Sequence, residues 1–278
     1  VPLMEDHPGH AVTNNLFGTK SIADAAHAVG AERFVMISSD KAVNPTSVMG
    51  ATKRLAEMYV QALHRSTASS GGRTSFSMVR FGNVLGSTGS VLPIWGAQLA
   101  DGVPITVTDP RMTRYFMTIH EAATLVIQSA AIDARDAGAA SVYVLDMGEP
   151  VRIVDLAQRF ITLSGFSARL PGAAPSASGG SYMDITFTGA RPGEKLHEEL
   201  AYAAEALRPT PYPGINAWTG SLHEGFDVVS MVSEMSLVRH SPDRAQVLQA
   251  IRRNVPEMRE PEHGRTIAEQ KPGSPIAA

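Results

Sequence analysis

Two short apolar runs, RFVMIS (Arg33–Ser38) and FSMVRFG (Phe76–Gly82), lie on either side of one amphipathic helical pattern. A run without polar alternation suits a strand covered on both faces, the environment of a parallel sheet. Parallel neighbours cannot be joined by a tight turn and need a crossover. Residues 47–65 can supply it, with Val48, Leu55, Tyr59 and Leu63 as its apolar positions. Another helical pattern, Thr13–Gly30, precedes the first run; Leu16, Ile22, Ala26 and Val29 can share a face, and Gly30 is a stop signal. Helix, strand, helix, strand predicts an α/β fold with a doubly wound parallel sheet.

After Gly82 the rhythm changes. SVLPIWGAQLADG predicts a short helix, ITVTD a short strand and TIHEAATLVIQSAAIDA an amphipathic helix. SVYVLDMG returns to strand, and RIVDLAQRFITLSG is helical with a glycine stop. The last strand of the sheet is thus expected to interleave with a smaller lobe. PGAAPSASGGS, Pro171–Ser181, is low in complexity and predicts a mobile loop, while the proline- and charge-rich end from about Pro256 predicts fraying or disorder.

Composition narrows the function classes. A formal net charge of −3 on 278 residues offers no polyanion-binding surface, so nucleic acid is not an expected partner. The absence of cysteine excludes disulfides and thiolate metal sites. The nine histidines have no ligand spacing, and HEEL (His197–Leu200) lacks the second histidine of the zinc-protease helix, so no metal is expected. No apolar run approaches the roughly 18–20 residues that span a bilayer. The chain opens VPLMEDHPGH, without an initiator methionine, which suggests an incomplete gene product.

Ligands of doubly wound sheets sit beyond the carboxyl ends of the strands. Ser38, Ser39, Asp40 and Lys41 follow one predicted strand, and Gly82 and Asn83 follow the other, so they should line one crevice. Met49 and Lys53 are an i, i+4 pair on one helix face, which can point Lys53 at the same ligand. The residues by themselves leave an alternative open, because Asp40 and Lys41 can equally open a turn before Pro45.

SSDKAVNPTSVMGATKR, with NNLFGT before it and RFGNVLGSTGSVLP, TVTDPRMTRYFMTIHEA and RPGEKLHEEL after it, resembles the extended short-chain dehydrogenase/reductase superfamily. Within it the chain is similar to the CapD-like polysaccharide biosynthesis family, the nucleotide-sugar 4,6-dehydratases. The likeness runs from Val1 to about Ala201. It implies the C-terminal part of an NAD(P)-binding Rossmann sheet. Residues 1–100 are then a partial Rossmann catalytic domain, 101–210 a substrate-binding lobe interleaved with the last sheet strand, and 211–278 a C-terminal extension.

The superfamily helix usually presents Y-x-x-x-K; here the tyrosine position is Met49 and the lysine is Lys53. A thioether has no proton to exchange, so acid–base work falls to Asp40 and Lys41. The resemblance implies loss of water from a UDP-N-acetylhexosamine, with NAD(P) taking hydride from carbon 4 and returning it to carbon 6. Lys41 is assigned as the base for carbon 5, with its pKa lowered by burial and by Lys53. Asp40 is assigned as donor to the leaving hydroxyl, and the interchange of these two roles stays open. Lys53 and Ser38 are expected at the cofactor, Ser39 at the sugar near carbon 4, and Asn83 at the nicotinamide or the sugar nucleotide. Arg114 and Arg191 are candidates for the diphosphate, whereas Asn15 is expected to be structural and Glu194 and Lys195 a solvated helix start. An epimerase or reductase on the same fold, or a non-catalytic remnant, are the competing functions.

The superfamily's G-x-G-x-x-G turn and its following ribose-binding acid have no counterpart here. The expectation is therefore a fragment of a larger enzyme that binds NAD(P) weakly by itself and exposes a sheet edge. For the intact enzyme the resemblance implies a homo-oligomer and a cytoplasmic location for this part.

Overall fold

The structure, a computed structural model, describes residues 1–87, 89–132, 142–173, 181–201, 207–218, 220, 222 and 225–259. Two short helices, α1 (Pro2–Asp6) and α2 (Pro8–Ala11), run through a π-helical turn (Val12–Phe17) into α3 (Gly18–Ala28). The expected first helix is thus broken in pitch at its start. At its far end Gly30 adopts φ +66°, a conformation that glycine enters without steric cost.

Strand β1 (Arg33–Ile37), helix α4 (Val48–Ser69) and strand β2 (Ser75–Arg80) form the parallel crossover foreseen from the two apolar runs. Helix α4 starts where Ser47 accepts a hydrogen bond from the Gly50 amide at 3.1 Å, and Glu5 accepts one from the Val48 amide at 2.6 Å. These acceptors satisfy amides that a helix N-terminus otherwise leaves without partners.

Next come β3 (Asn83–Val84), α5 (Val91–Ala100), β4 (Ile105–Val107), β5 (Thr113–Arg114), β6 (Phe116–Met117) and α6 (Ile119–Ala131). Thr118 and Glu121 form a reciprocal capping box at the start of α6. They are followed by β7 (Val142–Leu145), β8 (Val151–Arg152), α7 (Ile153–Leu163), β9 (Ser167–Arg169) and β10 (Tyr182–Phe187). The remaining elements are β11 (Leu207–Pro209), β12 (Ile215–Trp218), α8 (Val228–Val238) and α9 (Arg244–Asn254).

The main sheet has the order β1-β2-β7-β12-β11. Its first three strands are parallel; β12 and then β11 add antiparallel. Alternation within the strands shows why both faces are covered. Phe76 and Met78 of β2, and Val142 and Val144 of β7, join the core beneath α4, α8 and α9. Val79, Tyr143 and Leu145 point the other way, into a second core with Ala122 of α6. This is a doubly wound, Rossmann-type α/β sheet. Among the described residues β1 pairs only with β2, and Ile37 at its end is 53 % exposed, as expected of an edge strand.

The smaller lobe is a parallel sheet of order β4-β10-β9 packed against α5 and α7. Trp95 lies at its centre, fully buried, and donates its indole N–H to the Thr106 carbonyl at 2.8 Å. A buried indole needs such a partner.

The segment after residue 211 differs from the expected extension. Trp218, Met231, Met235, Ile251 and Val255 are each no more than 2 % exposed in the main core. At about 1.5–3 kcal/mol for each fully buried large apolar side chain, this segment contributes to the fold itself. The low-complexity loop call for Pro171–Ser181 falls mostly outside the described residues, as does the frayed end beyond 259. Among the described residues, no helix is long and apolar enough to cross a membrane.

Candidate active site

The carboxyl ends of β1 and β2 lie side by side, and the chain leaving β1 stays tied to its neighbour. The Ser38 amide donates to the Val79 carbonyl at 2.8 Å, and the Asp40 amide donates to the Phe81 carbonyl at 3.1 Å. Ser39 then opens a single 3-10 turn, Asp40–Ala42. Its hydroxyl accepts from the Lys41 amide at 3.3 Å and donates to Asp40 Oδ1 at 2.9 Å. The residues form the turn that the sequence allowed, and that turn sets the Lys41 ammonium group against Asp40.

Asp40 is fully buried. Its Oδ1 accepts from Lys41 Nζ at 2.9 Å, while Oδ2 is buried without a hydrogen-bond partner among the described residues. Lys41 Nζ also lies 3.4 Å from Asn83 Oδ1 and 3.7 Å from Glu198 Oε1. Asn83 is held by its own amide, which donates to the Tyr115 carbonyl at 3.0 Å. The structure therefore brings Ser39, Asp40, Lys41 and Asn83 together.

Gly50 sets this distance between turn and helix. A Cβ placed there would meet the Lys41 carbonyl oxygen at 2.1 Å and Pro45 Cβ at 3.1 Å. Backbone cannot yield as a side-chain tip can, so Gly50→Ala is expected to destabilise the protein by about 1–3 kcal/mol, the usual cost of overpacking. Thermal unfolding measures that loss, and turnover should fall with it, because the turn that yields carries Lys41.

Lys53, on the half-buried face of α4 with Met49, reaches the Ile37 carbonyl at 3.3 Å. Its pKa is lowered by burial, against the raising pull of Glu57. Lys41 Nζ, for its part, sits between the carboxylates of Asp40 and Glu198. Ser38 is turned away, its hydroxyl donating to Glu57 Oε1 at 2.7 Å. It therefore stands behind the crevice and supports the end of β1.

Both arginines expected at a diphosphate line the larger cavity and hold partners within the chain. Arg114 Nη1 donates to the carbonyls of Thr113 (2.7 Å) and Leu196 (3.1 Å), and its Nη2 donates to that of Lys195 (2.8 Å). Its Nε lies 3.7 Å from Glu198 Oε1. With its donors committed to backbone, Arg114 clamps the 195–198 segment to β5. Arg191 is exposed and pairs with Glu194 at 2.8 Å. Asn15 donates to Thr52 Oγ1 at 2.9 Å and is structural, as expected. Lys195 donates to the Val43 carbonyl at 2.7 Å, so it anchors a loop.

Beside the cluster lies a cavity of about 690 Å³, whose walls include Asn83, Ser90, Thr106, Arg114 and Arg191. Its floor turns on Gly86 and Gly89, both at positive φ. A smaller cavity of about 140 Å³, lined by Lys41, Ser47, Arg114, Lys195 and Glu198, shares Arg114 with it. Sequence reasoning missed Glu198, Glu57 and Gly50. Glu198 lies in RPGEKLHEEL, but nothing in the spacing joins it to Lys41.

The chain is 52 % identical over 216 residues to the probable polysaccharide biosynthesis protein EpsC of Bacillus subtilis, covering 78 % of this chain and 33 % of that one. It is also 52 % identical over 200 residues to the capsular polysaccharide biosynthesis protein CapD of Staphylococcus aureus, covering 72 % and 30 % respectively. The chain thus spans about a third of the length of these relatives.

The X-ray structure of Pen from Bacillus thuringiensis matches at 33 % identity and a TM-score of 0.65, over 77 % of this chain and 60 % of that one. A DesIV double mutant from Streptomyces venezuelae, a dTDP-glucose 4,6-dehydratase solved with NAD bound, shares the fold at 17 % identity. Its TM-score is 0.51, over 68 % of this chain and 57 % of that one. The profile of the polysaccharide biosynthesis protein family matches residues 1–219, and the chain belongs to that family.

Proposed function

We propose that this chain carries the catalytic and sugar-binding side of a nucleotide-sugar 4,6-dehydratase acting on a UDP-N-acetylhexosamine. The observation that supports it is the contact of buried Asp40 with half-buried Lys41 at a strand's carboxyl end, beside a helix that offers Met49 and Lys53.

One proton separates two states of the pair: ammonium facing carboxylate, or amine facing carboxylic acid. The second state supplies both groups that removal of water requires. The Lys41 amine takes the proton from carbon 5, and the Asp40 acid gives its proton to the departing hydroxyl of carbon 6. The pair is left as ammonium and carboxylate and the elements of water are gone. The Lys41 ammonium then returns its proton to carbon 5 as carbon 6 is reduced, and the Asp40 carboxylate recovers a proton from the carbon 4 hydroxyl when the next sugar is oxidised. Asp40 Oδ2, buried and without a hydrogen-bond partner among the described residues, can carry the acid proton. Ser39 and Asn83 hold the two groups in register, and Asn83 lines the larger cavity.

NAD(P), when bound, supplies hydride acceptance at carbon 4 and hydride return at carbon 6. Lys53 fits such a group: burial disfavours its ammonium, and among the described residues it donates to a single carbonyl, leaving donors for ribose hydroxyls. The 690 Å³ cavity is of the size that takes a small-molecule ligand. Arg191, exposed on its wall, can exchange Glu194 for a diphosphate.

Purified protein supplied with UDP-N-acetylglucosamine and excess NAD+ or NADP+ is expected to form a nucleotide sugar lighter by one water, a 4-keto-6-deoxy product, by mass spectrometry. A product of unchanged mass inverted at carbon 4 would move the function to an epimerase, and recovery of untouched substrate would count against catalysis by this chain.

A further inference from the structure

We infer that Glu198 is a positioning residue that fixes where the Lys41 ammonium points. Glu198 is buried, its side chain 3 % exposed, and it comes from a segment distant in sequence from the turn that bears Lys41. Its Oε1 lies 3.7 Å from Lys41 Nζ and 3.7 Å from Arg114 Nε, while Oε2 is buried with no hydrogen-bond partner among the described residues. The side chains therefore alternate in charge: Asp40, Lys41, Glu198, Arg114.

That order has a physical consequence. Without Glu198, Lys41 and Arg114 would be two cations sharing one cavity wall with nothing between them. Lys41 would then be held from one side only, by Asp40 and Asn83. With Glu198 present, the ammonium is pulled from both sides and its place is set by opposing attractions. Arg114 keeps Glu198 from collapsing onto Lys41, because its remaining donors are tied to the backbone carbonyls of residues 113, 195 and 196. The importance of Lys41 as an acid–base group rests on the proposed dehydratase function; the contact itself does not.

The experiment reads Lys41 directly. Limiting acetic anhydride acetylates amines in their neutral form, and peptide mass spectrometry reports each lysine separately. The charged groups around Lys41 are Asp40, Glu198, Arg114, Glu194, Lys195 and the amine of Val1, and only Glu198 is changed. In Glu198→Gln, Lys41 is expected to react roughly tenfold faster near neutral pH, the low end of what one opposite charge within about 4–6 Å does. Its rate–pH profile should move to lower pH, while Lys20 on α3 keeps its wild-type rate and reports an intact fold. Glu198→Asp keeps the charge at shorter reach and should give an intermediate rate, also if the glutamine variant does not fold. Wild-type Lys41 rates in both variants would overturn the inference. Turnover plays no part in this readout, so its outcome is separate from that of the dehydratase assay.

Discussion

Lys41→Ala is expected to lower dehydratase turnover by about a thousandfold, within the range that a positioned acid–base group contributes. Affinity for the UDP-sugar should change little, because the larger cavity is walled by Asn83, Arg114 and Arg191 rather than by Lys41. The loss should therefore appear in kcat and leave KM near its wild-type value. The lysine side chain is already 20 % exposed, and its removal leaves Asp40 with the Ser39 hydroxyl, so the fold should survive. Asp40→Asn separates the two roles: it removes the acid and also the partner with which Lys41 exchanges a proton. Groups that act as one unit give non-additive losses, so the double variant should be little slower than either single one. A Lys41→Ala protein with wild-type turnover would end the assignment of the base.

The same pair shows what the sequence displays and what it hides. The place of Asp40 and Lys41 follows from order alone, since residues after a buried parallel strand must emerge at its carboxyl end. The two apolar runs and the helix between them were legible for the same reason: local pattern and burial agree across Phe76, Met78 and Val79. β12 was not legible, because four residues after PYPG carry no periodicity of their own, and pairing with β7 decides their state. Nor was the role of Arg114, where a motif suggested phosphate and the structure supplies three carbonyls. Glu198 and Gly50 depend on close approach of segments distant in sequence or tightly packed across a turn, and such approach leaves no spacing to read.

Behind the crevice, Glu57→Gln is expected to destabilise the protein by about 3–5 kcal/mol, the cost of breaking a buried ion pair from one side. For a chain of this size that is a fall of roughly 10 °C in Tm. Glu57 and Arg80 have side chains with no exposure, and their forks meet at 2.7 and 2.6 Å. Arg54 Nη1 adds a contact at 3.2 Å, and the Trp218 ring lies 4.8 Å from the Arg80 guanidinium carbon. A glutamine amide cannot balance the buried Arg80 guanidinium as a carboxylate does, whereas Arg54 keeps its ion pair with Glu257 at 2.7 Å.

The pH dependence gives a second, independent sign. Burial pushes the Glu57 pKa up, but the charge and hydrogen bonds of Arg80, with help from Arg54 and Ser38, bring it below the ordinary glutamate value of 4.5. A carboxyl depressed in the folded state contributes stability that is whole above its unfolded value and is lost as pH falls through its folded value. Wild-type stability should therefore hold down to about pH 4.5 and then decline, with a flatter acid limb in Glu57→Gln. Replacing both members, Glu57→Leu with Arg80→Met, should recover much of the loss, since an apolar pair leaves no unpaired charge. Because Ser38 donates to Glu57 at the end of β1, the single variant should also loosen the turn that carries Asp40 and Lys41. Turnover measured well below the new Tm would then fall in Glu57→Gln and return in part in the double variant, whereas equal loss in both would show that Ser38 needs the carboxylate itself.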